Sequence, residues 1–404
     1  MAGDPIRDGV VVVDGDRVAA VGPRAGLLPA HPGARVRDWP GVLLPGLVNA
    51  HAHLQYTGFA DLARAELPFI SWIQRLTARA KTWTAEQWQT SARQGTHALL
   101  STGTTCVADV VTHAPALGPV ARSGLAGTSY LEVVGVDDTR WPDAAKKLLA
   151  ELSAAPAGRP IGVAPHALYT LGSAVVQDLV EFSRERGLRV HAHCAETLDE
   201  CDYVAKGAGP IADAMRAGGY GFELLTEAAG RSPVAEFGAL GALGPDVHLA
   251  HGIHVDAADR ELLRSHQTAV ALCCRSNALL GAGAPPVAAY LDEDSPLAVG
   301  TDSAASSPDL DLLAELRALG DLARSQGYDS PDLAERLVRL ATVDGAAALG
   351  LASESGVVAP GVRADLAVFD VPTDGSPYAA LVDHGAGSCV ATVLAGKLVH
   401  RRGT

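Results

Sequence analysis

Short apolar runs recur along the chain, and longer stretches with helical spacing separate many of them. The runs occupy 42–49, 104–110, 125–134, 161–165, 189–193, 246–251, 269–274 and 297–301. Most are short, nearly continuous hydrophobic segments, the pattern of a strand buried on both faces. Between them, stretches such as 85–100, 174–186 and 310–326 repeat apolar residues every three to four positions, as an amphipathic helix does. Eight strand–helix units in about 300 residues predict an α/β protein with a (β/α)8 TIM barrel. A doubly wound open sheet is the alternative, but no Gly-rich phosphate loop follows a strand.

The two ends of the chain carry a different pattern. Val10–Val13 and Arg17–Gly22 flank Asp14-Gly15-Asp16, a hairpin with Asp-Gly turn chemistry. A strand at 364–370 and a second hairpin around Ala395-Gly396 close the sequence. This pattern predicts a small composite β-sandwich built from both termini, with divisions at 1–44, 45–350 and 351–404. Only Met1–Asp8 precede the first hairpin, so one edge of that sandwich is expected to need cover.

Composition narrows the function. The 404 residues are 48% hydrophobic and 19% charged, as in a globular protein, with a net charge of −14. No basic run is present, which argues against nucleic acid or an anionic membrane as partner. Neither a signal-peptide pattern nor an apolar stretch of ~18 residues occurs, so a cytoplasmic protein is expected. The six cysteines show no CxxC spacing and read as buried thiols.

In such a barrel the active site lies where the strands end. The first run leads into His51-Ala52-His53, whose i and i+2 side chains share a face about 7 Å apart. Two neutral imidazoles there suit zinc or iron. The fourth run ends at His166 and the fifth at His191-Ala192-His193-Cys194-Ala195-Glu196. The sixth ends at His251-Gly252-Ile253-His254, the seventh leads into Arg275-Ser276-Asn277, and the eighth ends at Gly300-Thr301-Asp302. Five of eight strand ends thus deliver His or Asp into one mouth.

These motifs, with Leu44-Pro45-Gly46-Leu47-Val48-Asn49 before the HxH and Gly361–Leu366 near the end, resemble the amidohydrolase superfamily, in its mononuclear deaminase/chlorohydrolase branch. The resemblance implies one zinc ion per chain, iron being the alternative, on His51, His53, His193 and Asp302. His191 is the rival of His193. Glu196 is implied as proton shuttle, His251 as the residue that orients or deprotonates the attacking water, and His166 as a substrate contact. His254 is expected to be structural. Two-metal members use a strand-four lysine. The lysines here are Lys81, Lys146, Lys147, Lys206 and Lys397, none at that position.

Trp72 is a candidate for stacking on a flat heterocycle. Related adenosine deaminases place a ribose-gripping glutamate soon after a similar tryptophan, yet 73–85 holds no acid. Leu54-Gln55-Tyr56 and Cys274-Arg275-Ser276-Asn277 look closest to bacterial aminodeoxyfutalosine deaminases of menaquinone synthesis. That likeness implies a 6-aminopurine nucleoside substrate bearing a benzoate, with Arg275 or Arg75 as its cation. The alternatives are deamination of S-adenosylhomocysteine, adenosine, guanine or 8-oxoguanine, hydrolysis of a chlorotriazine or cyclic amide, or a non-catalytic scaffold. A homodimer is a family expectation.

Overall fold

The computed structural model describes residues 4–65 and 67–403. Its strands are β1 (Gly9–Asp14), β2 (Arg17–Pro23), β3 (Val42–Pro45), β4 (Leu47–Ala52), β5 (Thr104–Val111), β6 (Ser129–Val133) and β7 (Ile161–Pro165). There follow β8 (Val190–Cys194), β9 (Val247–His251), β10 (Ala269–Leu272), β11 (Leu297–Val299), β12 (Leu366–Phe369), β13 (Cys389–Leu394) and β14 (Lys397–Arg401). β4 to β11 pair in chain order as one eight-stranded sheet, every pair parallel. Helices such as Ala85–Ser101, Ser173–Glu185 and Leu312–Ser325 lie where the periodicity predicts them.

The sheet curls until its ends meet. β11 is short, so the seam is made just beyond it. Thr301 and Asp302 donate their N–H groups to the His51 carbonyl at 3.1 and 3.0 Å, and Ala52 bridges to Asp302 in parallel. The residues that close the barrel are therefore those at its mouth. Inside, Val48, Ala50, Cys106, Ala108, Val110, Ala164, Ala271 and Ala298 are small, and Tyr130 is the bulky one. The helix Val343–Ala348 adds Ala346 to this cluster.

The run at 42–49 is two strands and not one. β3 pairs antiparallel with β12 in a four-stranded sheet ordered β14-β13-β12-β3, whereas β4 enters the barrel. Gly46 is the pivot. A Cβ there would sit 2.0 Å from Thr105 Oγ1, and its N–H donates to Asp365 at 2.9 Å. Periodicity is blind to this break, because an apolar run looks the same in either sheet.

The strands from the two termini form two separate sheets. β1 and β2 form their own two-stranded sheet, turning at Gly15 with φ +58°. They are tied to the C-terminal part through Val18 N–H to Val362 (2.9 Å) and Ala364 N–H to Asp16 (2.8 Å). All six cysteines are free thiols. Among the described residues no helix is long and apolar enough to cross a membrane.

Candidate active site

At the mouth of the barrel, four side chains converge, from β4, the residue after it, β8 and the segment after β11. His53 Nε2 lies 3.2 Å from His193 Nε2. His51 Nε2 and His53 Nε2 lie 3.5 and 3.6 Å from Asp302 Oδ1. Hydrogen bonds assign the ring tautomers. His191 Nδ1 is 2.9 Å from the His248 carbonyl, which only accepts, so Nδ1 carries the proton and Nε2 a lone pair. That lone pair takes the Nδ1–H of His51 at 2.7 Å, leaving His51 Nε2 bare and, among the described residues, without a partner. His193 Nδ1 likewise donates to the His166 carbonyl at 3.1 Å, which bares its Nε2.

Lone pairs and a carboxylate oxygen converging in a buried space repel one another unless a cation lies between them. Burial drives all three imidazoles toward the neutral, ligating form: it lowers His51, takes His53 to about 3, and puts His193 well below its ordinary value. Tetrahedral zinc with bonds of about 2.0–2.1 Å needs ligand atoms about 3.3 Å apart. The three spacings of 3.2, 3.5 and 3.6 Å lie near that value; His51, His53 and Asp302 form one compact group of donor atoms, and His51 and His193 form a second with His251, so these are the residues that could hold a divalent metal.

His191, the rival ligand, has another task. It fixes the ring of His51 through the Nδ1 bond, the outer-shell role common for a metal-ligating histidine. His248 extends the support, giving Nε2–H to the Ala50 carbonyl at 3.1 Å. Asp302 is held in turn by Ser276 Oγ (2.6 Å) and Ser306 Oγ (2.9 Å) on Oδ2, and by Ser303 N–H (2.7 Å) on Oδ1.

Glu196 and His251 flank this set. His251 donates Nδ1–H to Asn277 Oδ1 at 3.0 Å, so its Nε2 accepts, and that Nε2 lies 3.6 Å from Glu196 Oε1. Burial, then the nearby Asp302, pushes the Glu196 carboxyl well above its usual range. Glu200 holds the turn that presents Glu196, accepting the N–H groups of Ala195 and Glu196 at 2.9 and 2.7 Å. Ala195, His251 and Asp302 have φ of 54°, 76° and 58°. Left-handed backbone at three non-glycine strand ends is strain of the kind stored at functional sites.

The remaining sequence candidates fall differently. His166 lies beside the set, its ring 4.7 Å from that of His193, with Nδ1 3.0 Å from Thr170 Oγ1. His254 hydrogen-bonds the Ala282 carbonyl at 2.7 Å, a structural role. Trp72 reaches the loop after Asp302, donating Nε1–H to the Ala305 carbonyl at 2.9 Å. Arg275 does not stand free as a substrate cation. Its guanidinium is bidentate to Asp309 at 2.7 and 3.0 Å and lies 3.7 Å from buried Glu315, so its charge is already matched. Arg75 is on the exposed face of the helix Phe69–Ala80. Sequence reasoning missed His248 and Glu200. Their only signal is spacing, three residues before His251 and four after Glu196.

The amidohydrolase family model matches residues 42–399, and the bacterial imidazolonepropionase-like composite domain matches 9–34. The 5-methylthioadenosine/S-adenosylhomocysteine deaminase of Moorella thermoacetica is 31% identical over 418 residues, covering 100% of this chain and 92% of its own. Its namesake from Haloarcula marismortui is 32% identical over 340 residues, covering 82% and 73%. Among solved structures, a zinc-bound adenosine deaminase from Xanthomonas campestris superposes with a TM-score of 0.77 at 25% identity, covering 98% of this chain and 89% of its own. The Helicobacter pylori aminofutalosine deaminase, in complex with methylthio-coformycin, gives 0.81 at 20%, covering 98% and 95%. With the barrel, the composite strands and this cluster all in place, the chain belongs to the amidohydrolase family.

Proposed function

We propose that the protein is a metal-dependent hydrolytic deaminase of 6-aminopurine nucleosides. The observation that carries this reading is the pairing of a convergent His/His/His/Asp set with a buried, non-ligating Glu196 beside His251. Deamination of a cyclic amidine needs a nucleophilic water, a proton for the ring nitrogen and a proton for the departing amine. The relatives named for 5-methylthioadenosine and S-adenosylhomocysteine support the same class.

His51, His53, His193 and Asp302 would hold one divalent ion. Zinc is the leading candidate, and iron shares these ligands. When bound, such an ion acidifies water at neutral pH. The chain's own residues do the rest. Glu196, held protonated by burial, gives its proton to the ring nitrogen beside the amino-bearing carbon, making that carbon electrophilic. His251 Nε2, kept as an acceptor by Asn277, takes a proton from the attacking water. Glu196, left as a carboxylate, takes the remaining proton of the attacking oxygen, and His251 returns its proton to the amino group, which leaves as ammonia while the carbon keeps the water's oxygen as a carbonyl. Acid–base assistance of this kind is worth ~10²–10⁴-fold.

The finer reading concerns the group on the sugar. A 5′-thio-substituted adenosine is favoured by the relatives' names. Aminodeoxyfutalosine is the second reading. It is supported by the Leu54-Gln55-Tyr56 and Cys274–Asn277 likeness and by exposed Arg75, but loses Arg275 as a partner for its benzoate. The test is ammonia release by zinc-loaded protein. The panel is 5-methylthioadenosine, S-adenosylhomocysteine, adenosine, aminodeoxyfutalosine, guanine and a chlorotriazine. Ammonia from an adenine nucleoside, with loss of adenine absorbance, is expected. Turnover of the chlorotriazine alone would refute the reading.

A further inference from the structure

Glu132 has no part in the chemistry described above. It lies on β6 two residues after Tyr130, so both side chains share the inward face. Tyr130 fills the barrel interior, its ring 5.5 Å from that of His191 and 5.3 Å from that of His248. Glu132, one layer nearer the strand end, therefore enters the mouth. One of its carboxyl oxygens and one ring nitrogen each of His166 and His193 lie within 4.8 Å of one another.

Its carboxyl is half satisfied. Thr112 Oγ1 donates to Oε2 at 2.6 Å, and is itself held by Gln55 Nε2–H at 2.9 Å. Tyr56 OH stands 3.3 Å from the same hydroxyl. Oε1 is buried and has no partner among the described residues. A buried carboxyl oxygen without a donor is costly, so a donor is to be sought in what enters the mouth.

The shape of a purine says which donor. Let the amino-bearing carbon face the ligand set, and let the ring nitrogen beside it face Glu196, on the flank after β8. The imidazole half of the purine then points the other way, towards β5, β6 and β7. The sugar hangs from that half. Its hydroxyls are the donors on that side, and Glu132 Oε1 waits there. Resting on the nucleoside reading, we infer that Glu132 is a specificity-determining residue that accepts a hydrogen bond from a sugar hydroxyl of the substrate.

The test compares adenosine, 2′-deoxyadenosine and 3′-deoxyadenosine on zinc-loaded wild type, Glu132→Gln and Glu132→Ala, with metal content measured throughout. Burial pushes the Glu132 carboxyl up to about 7, so the comparison is made at pH 8.5, where the carboxylate predominates; wild type is there expected to lose about 10- to 100-fold in kcat/KM on one deoxy analogue, the size of a hydrogen bond to a charged group. In Glu132→Ala that discrimination should collapse to about threefold or less with metal retained, and in Glu132→Gln it should fall in between. A merely structural role would depress all three substrates equally, leaving the ratio intact, and that result overturns the inference. So does a wild type indifferent to both hydroxyls. If the wild type turns over no nucleoside, the function itself fails and takes this inference with it.

Discussion

The two flanks of the barrel mouth are built to different standards of closure. Towards β8–β11, His251, Asp302 and the turn before Glu196 each have a second residue holding them: Asn277, Ser276 with Ser306, and Glu200. Across the metal site, His51 is fixed by His191, which is fixed by His248. Towards β5–β7, Glu132 keeps one buried carboxyl oxygen bare among the described residues, and the His166 ring hydrogen-bonds Thr170; the first flank has bare buried nitrogens too, Asn277 Nδ2 and His248 Nδ1, but they belong to supporting residues. Chemistry needs groups immobilised in advance, whereas recognition leaves polar atoms for the ligand to complete. Substitutions on the first flank should therefore change rate on every substrate alike, and those on the second should change ratios between substrates.

The harshest way to break the comparison is to remove a ligand. Asp302→Ala or His53→Ala should lose metal and activity together, activity falling to background, as read by elemental analysis and ammonia release. Wild type should hold about one ion per chain; two tightly held ions would contradict a single-ion site. Glu196→Gln is next. It keeps shape and metal but removes the proton carrier, so kcat should fall by ~10²–10⁴ with unchanged substrate ratios. Near-normal turnover at full metal occupancy would take Glu196 out of the mechanism. His191→Phe strips His51 of its support without touching the ion. Metal affinity should weaken ~10–100-fold in a chelator competition, while kcat at saturating zinc stays within a few-fold.

The smallest expected catalytic effect is at Arg275. Arg275→Met should cost about 1–2 kcal/mol of stability and leave kcat/KM within about twofold on every substrate. A selective loss on aminodeoxyfutalosine would instead restore Arg275 to the site. The variant should also change the pH profile of unfolding. Burial raises Glu315 from 4.5 to about 8, opposed by Arg275. The folded protein thus favours protonated Glu315, and stability from this group is present below about 4.5 and lost as pH rises through about 8. Without the guanidinium the folded Glu315 carboxyl rises further, so the loss should continue to higher pH and be larger between pH 5 and pH 8.5, which thermal unfolding at those two values measures.

What could be read from the chain follows the same division. The ligand cluster rests on residue types that are rare at strand ends and sit at fixed spacings, so His51, His53, His193, Glu196, His251 and Asp302 stand out in one dimension. The eight-strand rhythm is legible because each strand is buried on both faces. Arg275 misled for a physical reason: a cation near a strand end looks free until the fold brings Asp309 and Glu315 beside it. The break at Gly46 was hidden in a uniformly apolar run. Glu132 was invisible because its bare oxygen is a property of packing, and nothing adjacent in sequence marks it.

The central claim is that this mouth replaces an aromatic amino group by oxygen from water. The direct measurement is a turnover of 5-methylthioadenosine or adenosine by zinc-loaded protein in water enriched in oxygen-18. The product is read by mass spectrometry and ammonia is counted alongside. The account predicts an intact 6-oxopurine nucleoside carrying one heavy oxygen, with one ammonia released per product. Free base with an oxygen-labelled sugar and no ammonia would contradict it.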